Sequence, residues 1–163
     1  MITTRIARIT DAGDISSLTA QLGYDVEASE VRARLSTILM RPDHLFLVAA
    51  EDERRIGWIH ATIVEYIEAD RFVIVAGLVV DRDHRKAGVG RMLLAAVERW
   101  AAQQGCSIVR LWSSATRTGA HRVDETVGYT RIKTQYSFAK SLATSGEGAF
   151  KGFIPHVDEE PPS

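Results

Sequence analysis

The chain has 163 residues, 45% of them hydrophobic and 25% charged, with a formal net charge of -1. That length suits one domain with a real core, and the near-neutral balance gives no global reason to expect a nucleic-acid partner. The one cysteine, Cys106, excludes an internal disulfide and offers no metal-ligand spacing. The longest apolar run, 72–80, is too short to span a bilayer, so a cytoplasmic protein with no membrane partner is expected.

The chain opens on a short strand-like segment carrying Ile6 and Ile9. Asp11 then caps a predicted helix with Ile15, Leu18 and Leu22 at helical spacing and Gly23 as its stop. A second helix begins near Ser29, with Val31, Leu35, Ile38 and Leu39 on one face, and ends at Pro42 and Asp43. "HLFLVAAED" and "RIGWIHATIVEY" read as an antiparallel hairpin around a polar turn at 52–55. "RFVIVAGLVV" has the continuous apolar character of a strand buried on both faces. A third helix follows, marked by Leu93, Val97 and Trp100 and ending before Gly105. "CSIVRLWSS" reads as another buried strand, with Cys106 as a structural thiol. A short polar helix over about 118–127, Gly128 and a last strand over 129–140 complete the pattern.

This order mixes an antiparallel hairpin with a strand–helix–strand crossover. It predicts an α/β (α+β) fold with a mixed, mostly antiparallel central sheet flanked by helices. Residues 1–140 form the expected single domain. Residues 141–163, aperiodic with an acidic, proline-rich end, form a tail whose Phe150, Phe153 and Ile154 could dock on the domain or on another chain.

"VVDRDHRKAGVGRMLL" places two glycines where a buried strand turns into a helix. The first amides of a helix lack internal partners and sit at the positive end of the dipole. Glycine there lets an anion approach the backbone, and Arg85, Lys86 and Arg91 could add charge. A tight turn needing glycine for steric relief explains the same residues. The dinucleotide fingerprint requires a third glycine where Leu93 stands, and the P-loop pattern is absent.

Arg85-Lys86-Ala87-Gly88-Val89-Gly90, after "GLVV" and before "RMLLAAVERWA", resembles motif A of the GNAT superfamily of acetyl-CoA-dependent N-acetyltransferases. "LVAAEDERRIGWIHA" is similar to that family's central hairpin, and "AHRVDETVGY" resembles its Ala-His-Arg-Phe-Tyr-Glu-x-x-Gly-Tyr segment. The resemblance covers about residues 3 to 140. It implies a splayed strand pair that holds acyl-CoA, with acetyl-CoA as the donor. The amides of Arg85, Lys86, Ala87, Gly88, Val89, Gly90 and Arg91 would then hold the pyrophosphate. Backbone groups of Leu78, Val79 and Val80 would pair with the pantetheine arm as an added strand, one of them polarising the thioester carbonyl.

The acid–base groups depart from the family's pattern. Its usual tyrosine acid falls on Asp124, a poor proton donor unless its pKa is raised. The strand over 72–80 lacks the carboxylate that relatives often use as a base; Glu65, Glu68 and Asp70 lie just before it. His121 matches the family's "AHR" histidine, and His60 could serve as a base, although a half-buried strand histidine is a structural alternative. Asp124, Glu65 and His121 are thus the candidate catalytic residues. Trp58, Trp112 and Tyr24 could line an acceptor pocket, with core packing the alternative for both tryptophans.

Two readings follow. One is an N-acetyltransferase moving an acetyl group to a primary amine of a small molecule or peptide by direct attack in a ternary complex, where proximity supplies much of the rate. The other is a catalytically degenerate acyl-CoA-binding sensor or interaction module. The last strand or the tail could mediate a homodimer.

Overall fold

Strand-forming residues set the central sheet. A computed structural model describes residues 1–112 and 127–142. They fall in two units, Met1–Trp112 and Ser113–Ser163. The first unit holds a five-stranded sheet in the order β1 (Ile2–Ile6), β2 (His44–Glu51), β3 (Arg54–Tyr66), β4 (Ala69–Val80), β5 (Val109–Leu111). The first four strands run antiparallel to their neighbours, and β5 runs parallel to β4. The predicted mixed sheet with its crossover is therefore the fold.

Helices α1 (Ala12–Ala20) and α2 (Ala28–Ile38) place Ile15, Leu35, Val31 and Ile38 over Phe46, Val48 and Trp58 of the sheet. Helix α3 (Val89–Gln103) buries Val89, Leu93, Leu94, Val97 and Ala101, a single stripe at helical spacing. Val89 and Leu93 lie against the position of Gly57. Successive residues on a strand face opposite ways. With Trp58 on the α1 and α2 side, α3 covers the other face.

Asp11 stands at the start of α1, as predicted, but does not cap it with its side chain. Its carboxylate is fully buried and accepts from Arg5 at 2.8 Å on each oxygen, from Arg55 at 2.7 Å and from the Arg8 N–H at 2.7 Å. Burial pushes this carboxyl up, but the bond from Arg5, then those from Arg8 and Arg55, outweigh it and hold it well below the ordinary carboxylate range. One anion thereby ties β1, β3 and the entrance of α1 together.

The register between β3 and β4 shifts once near the middle. His60 pairs with Gly77 but Ala61 pairs with Val75, which leaves Ala76 as the extra residue of a bulge. β5 pairs with β4 only from Val73 to Val75. Among the described residues, β4 beyond the bulge has no neighbour on its β5 side.

This corrects the expectation of a strand buried on both faces. Only Phe72 to Val75 is buried throughout, whereas Ala76 is exposed and Gly77, Leu78 and Val80 are half-buried, because the covering strand stops at the bulge. The next predicted strand is also shorter than its apolar run: Val109–Leu111 alone pairs, all three half-buried. Cys106 is buried as expected, while Trp112 is 63% exposed.

In the second unit, Val127 and Gly128 form a turn, with Gly128 at a φ of 95°. Residues 129–142 form neither helix nor strand, so the predicted last strand is not present. Alternation and β propensity need a ladder partner to become a strand. Here Ile132, Tyr136 and Phe138 are exposed. The predicted helix over 118–126 and the tail from 143 lie outside the described residues.

Candidate active site

The turn from β4 into α3 is built on a buried anion. Asp81, 2% exposed, accepts from Gln21 Nε2 at 2.9 Å, from Arg54 at 3.1 Å and pairs with His84 Nδ1 at 2.8 Å. Gln21 turns its other end to accept the Arg82 N–H at 2.9 Å, and His84 Nε2 lies 3.3 Å from Glu51. The Gln21 bond, opposed by burial and supported by His84 and Arg54, keeps the Asp81 carboxyl below its ordinary range. The loop is thus tied to α1 and to both arms of the β2–β3 hairpin.

Past this anchor the backbone turns twice into the left-handed region, at Lys86 (φ 70°) and at Gly88 (φ 81°). A side chain at the second position would be strained. Gly88 is the N-cap of α3, and no side chain caps the helix. Its carbonyl accepts the first helical bond, from Met92, so the amides of Val89, Gly90 and Arg91 have no partner within the helix. The Ala87 amide is used locally, bonding the His84 carbonyl at 3.3 Å. A Cβ at Gly88 would meet nothing within 4 Å, and one at Gly90 only Val80 at 3.8 Å. Arg85, Lys86 and Arg91 are exposed and make no ion pair among the described residues. Free amides, a helix N-terminus, open space and three cations are what a polyphosphate needs.

The strand leading there offers a second surface. The Asp81 N–H bonds the Ile56 carbonyl at 2.8 Å. In an antiparallel ladder bonded pairs alternate, so Val79 turns its backbone toward β3 while Leu78 and Val80 turn theirs to the open side. An extended amide-bearing chain can add there like a strand. The pantetheine arm of CoA is such a chain, so phosphate end and arm both fit the residues present.

On the α1 and α2 face, aromatic rings form a column. Trp58 stacks on Phe46 at 5.2 Å, Phe46 on His60 at 5.4 Å, and His60 on His44 at 5.1 Å. The Trp58 ring lies over Gly77, where a Cβ would fall 2.8 Å from it. Its indole Nε1 is buried without a hydrogen-bond partner among the described residues. His44 Nδ1 and His60 Nε2 are 2.9 Å apart. Burial, with a smaller contribution from His44, pushes His60 down to about 4.

The structure therefore brings the predicted donor residues Leu78, Val79, Val80 and Arg85 to Arg91 onto one continuous strand, loop and helix. Glu65 is not among them. It sits near the tip of the β3–β4 hairpin, exposed and paired with Arg71 at 3.0 Å. Five residues separate it from His60, roughly 16 Å along the strand. Tyr24 lies half-buried on the connection between α1 and α2. His121 and Asp124 lie outside the described residues. Gln21 and Asp81 escaped sequence reasoning because their contact joins residues sixty positions apart; a lone acid directly after an apolar strand was the available signal.

Among the described residues no helix is long and apolar enough to cross a membrane. The sequence model of the acetyltransferase (GNAT) family matches residues 14–136. The chain is 26% identical over 145 residues to an aminoglycoside N(6')-acetyltransferase type 1 of Klebsiella aerogenes, covering 85% of this chain and 95% of that protein. Its fold is similar to that of AAC(6')-Iy solved with the bisubstrate analogue CoA-S-monomethyl-acetylneamine, with a TM-score of 0.77 at 23% identity over 86% of this chain and 99% of the other. The 6'-N-acetyltransferase AAC(6')-IG of Acinetobacter haemolyticus, solved without ligand, gives a TM-score of 0.75 at 22% identity over 86% and 99%. The chain belongs to the acetyltransferase (GNAT) family, with acetyl-CoA as its acetyl donor.

Proposed function

We propose that the chain moves the acetyl group of acetyl-CoA to a primary amine of a small polycationic molecule, an aminoglycoside being the first class to test. The observation that carries the donor half is the uncapped start of α3, with Gly88 left-handed and the Val89, Gly90 and Arg91 amides free, continuous with the open edge at Leu78 and Val80. The acceptor class is supported by the curated relatives, which are named for acetylating the 6'-amine of aminoglycosides.

Arg85, Lys86 and Arg91 would neutralise the phosphates while the α3 amides orient them. The Leu78 and Val80 backbone would align the arm and offer an N–H to the thioester carbonyl, where charge develops as the amine attacks. Holding both partners in one cleft supplies much of the rate. Asp124 is proposed as the acid for the leaving thiolate and His121 as a further candidate, both on their match to the family's sequence segment. The setting we propose is the cytoplasm, where acetyl-CoA is made and used.

The test is release of free thiol from acetyl-CoA against a panel of aminoglycosides, simple alkylamines and peptide N-termini. Thiol release confined to aminoglycosides is the expected result, and release with peptides alone would move the acceptor to protein substrates. Binding of acetyl-CoA with no release across the panel would leave the sensor reading in its place.

A further inference from the structure

The loop that carries the donor site leaves β4 through a turn that does not cap itself. Asp81 is the N-cap of the turn Arg82–His84, where an aspartate ordinarily accepts from the following amides with its own carboxylate. It makes no such bond here, because that carboxylate is spent on Gln21, Arg54 and His84. The Arg82 N–H is taken instead by a side chain of another element. Gln21, the C-cap of α1, accepts it on Oε1 at 2.9 Å and donates from Nε2 to Asp81 Oδ1 at 2.9 Å. Both ends of the amide are used, and neither bond is made within α1.

Only one orientation of the amide satisfies both partners. Exchanging its oxygen and nitrogen would set an acceptor against the Asp81 carboxylate and a donor against the Arg82 N–H. The backbone donors of the loop show where that hold falls. The Asp81 N–H still belongs to the sheet, bonding Ile56, whereas the His84 and Ala87 N–H groups bond carbonyls of the loop itself. Arg82 lies between, so Gln21 is the first grip on the chain after it leaves β4. The other grips are weaker or internal. Arg54 is 65% exposed, and His84 is part of the loop. Among the bonds that keep the Asp81 carboxyl below its ordinary range, the one from Gln21 contributes most.

We infer that Gln21 is a positioning residue for the donor, capping the turn at Arg82 from outside and so setting the path by which the loop brings the α3 amides to the phosphates. The inference rests on the donor half of the reading above. Gln21 itself touches no reacting atom, so its effect belongs in donor affinity and not in the chemical step.

Calorimetry of the whole chain with acetyl-CoA tests this. Gln21→Met keeps the length of the side chain and removes both bonds. Its acetyl-CoA Kd is expected to rise about fivefold, with kcat at saturating donor within about twofold of wild type. Gln21→Glu gives a readout that lost packing would not move. Its carboxylate has no donor and faces that of Asp81, so the pair takes up a proton more readily than either group alone. Once protonated, the new side chain donates to Asp81 and accepts from Arg82 as the amide does. The Kd of this variant, relative to wild type at the same pH, is expected to be raised about tenfold near pH 8 and to return toward the wild-type value near pH 5. A ratio that does not change with pH overturns the inference, as does a folded Gln21→Met with Kd within about twofold of wild type. No binding of acetyl-CoA by the wild type would overturn the donor reading itself.

Discussion

Gly88 concentrates two demands in one residue. Its φ of 81° needs a backbone that L side chains rarely adopt, and the space around it is open. Gly88→Ala should therefore cost about 1–2 kcal/mol of stability from the left-handed geometry alone. Affinity for acetyl-CoA should also fall, since the added methyl enters the open space that the phosphates would fill. Gly88→Asp carries the same strain and adds a negative charge where the phosphates would lie. Calorimetry should show its acetyl-CoA Kd raised at least tenfold beyond that of the alanine variant. Equal affinities in the two variants would mean that the loop is only a turn.

At the level of elements, two buried carboxylates hold the fold around the site and divide the work. Asp81 ties the loop at Arg82–His84 to the end of α1 and to the β2–β3 hairpin. Asp81→Asn keeps the shape but loses charge-assisted bonds from Arg54 and His84. The start of α3 should then be held less firmly, raising the acetyl-CoA KM several-fold while kcat changes less; the reverse split in steady-state kinetics would place Asp81 in the chemistry instead. Asp11 acts away from the site, joining β1, β3 and α1. Its folded pKa is depressed. Its contribution is thus complete above the ordinary carboxylate range, about pH 4, and is lost as pH falls below that toward the folded value. Melting temperature should drop steeply as pH falls below about 4 for the wild type. Asp11→Asn should start about 3 kcal/mol less stable at neutral pH, because Arg5 and Arg55 lose their anion, and should show a shallower acid slope. Asp43 and Asp81, also lowered, would supply the slope that remains.

Across the whole molecule, what was legible in the sequence is what rests on local pattern. Helical spacing of Leu93 and Val97, the polar turn after Glu51 and the glycines at the start of α3 each fixed an element from its own residues. What escaped depends on pairing between distant segments. The bulge at Ala76 exists only in register with His60 and Ala61, and it leaves half of an apolar strand uncovered. Tyr129 to Lys140 has strand-like composition and no ladder among the described residues, and the bond between His44 and His60 joins two strands whose alignment the hairpin turn sets. The donor site spans both kinds of feature, a local helix start and a non-local open edge, and that division yields a last prediction. A ligand bound only by the folded state adds stability by mass action, about 2.7 kcal/mol at one hundred times its Kd. For a chain of this size that is a rise of roughly 5–10 °C in Tm. Acetyl-CoA, with phosphates for the helix start and an arm for the Leu78 and Val80 edge, should give that rise. ATP at the same concentration can satisfy only the phosphate part and should give less than half of it. An equal rise with both would show that the helix start alone binds and that the β4 edge takes no part in holding the donor.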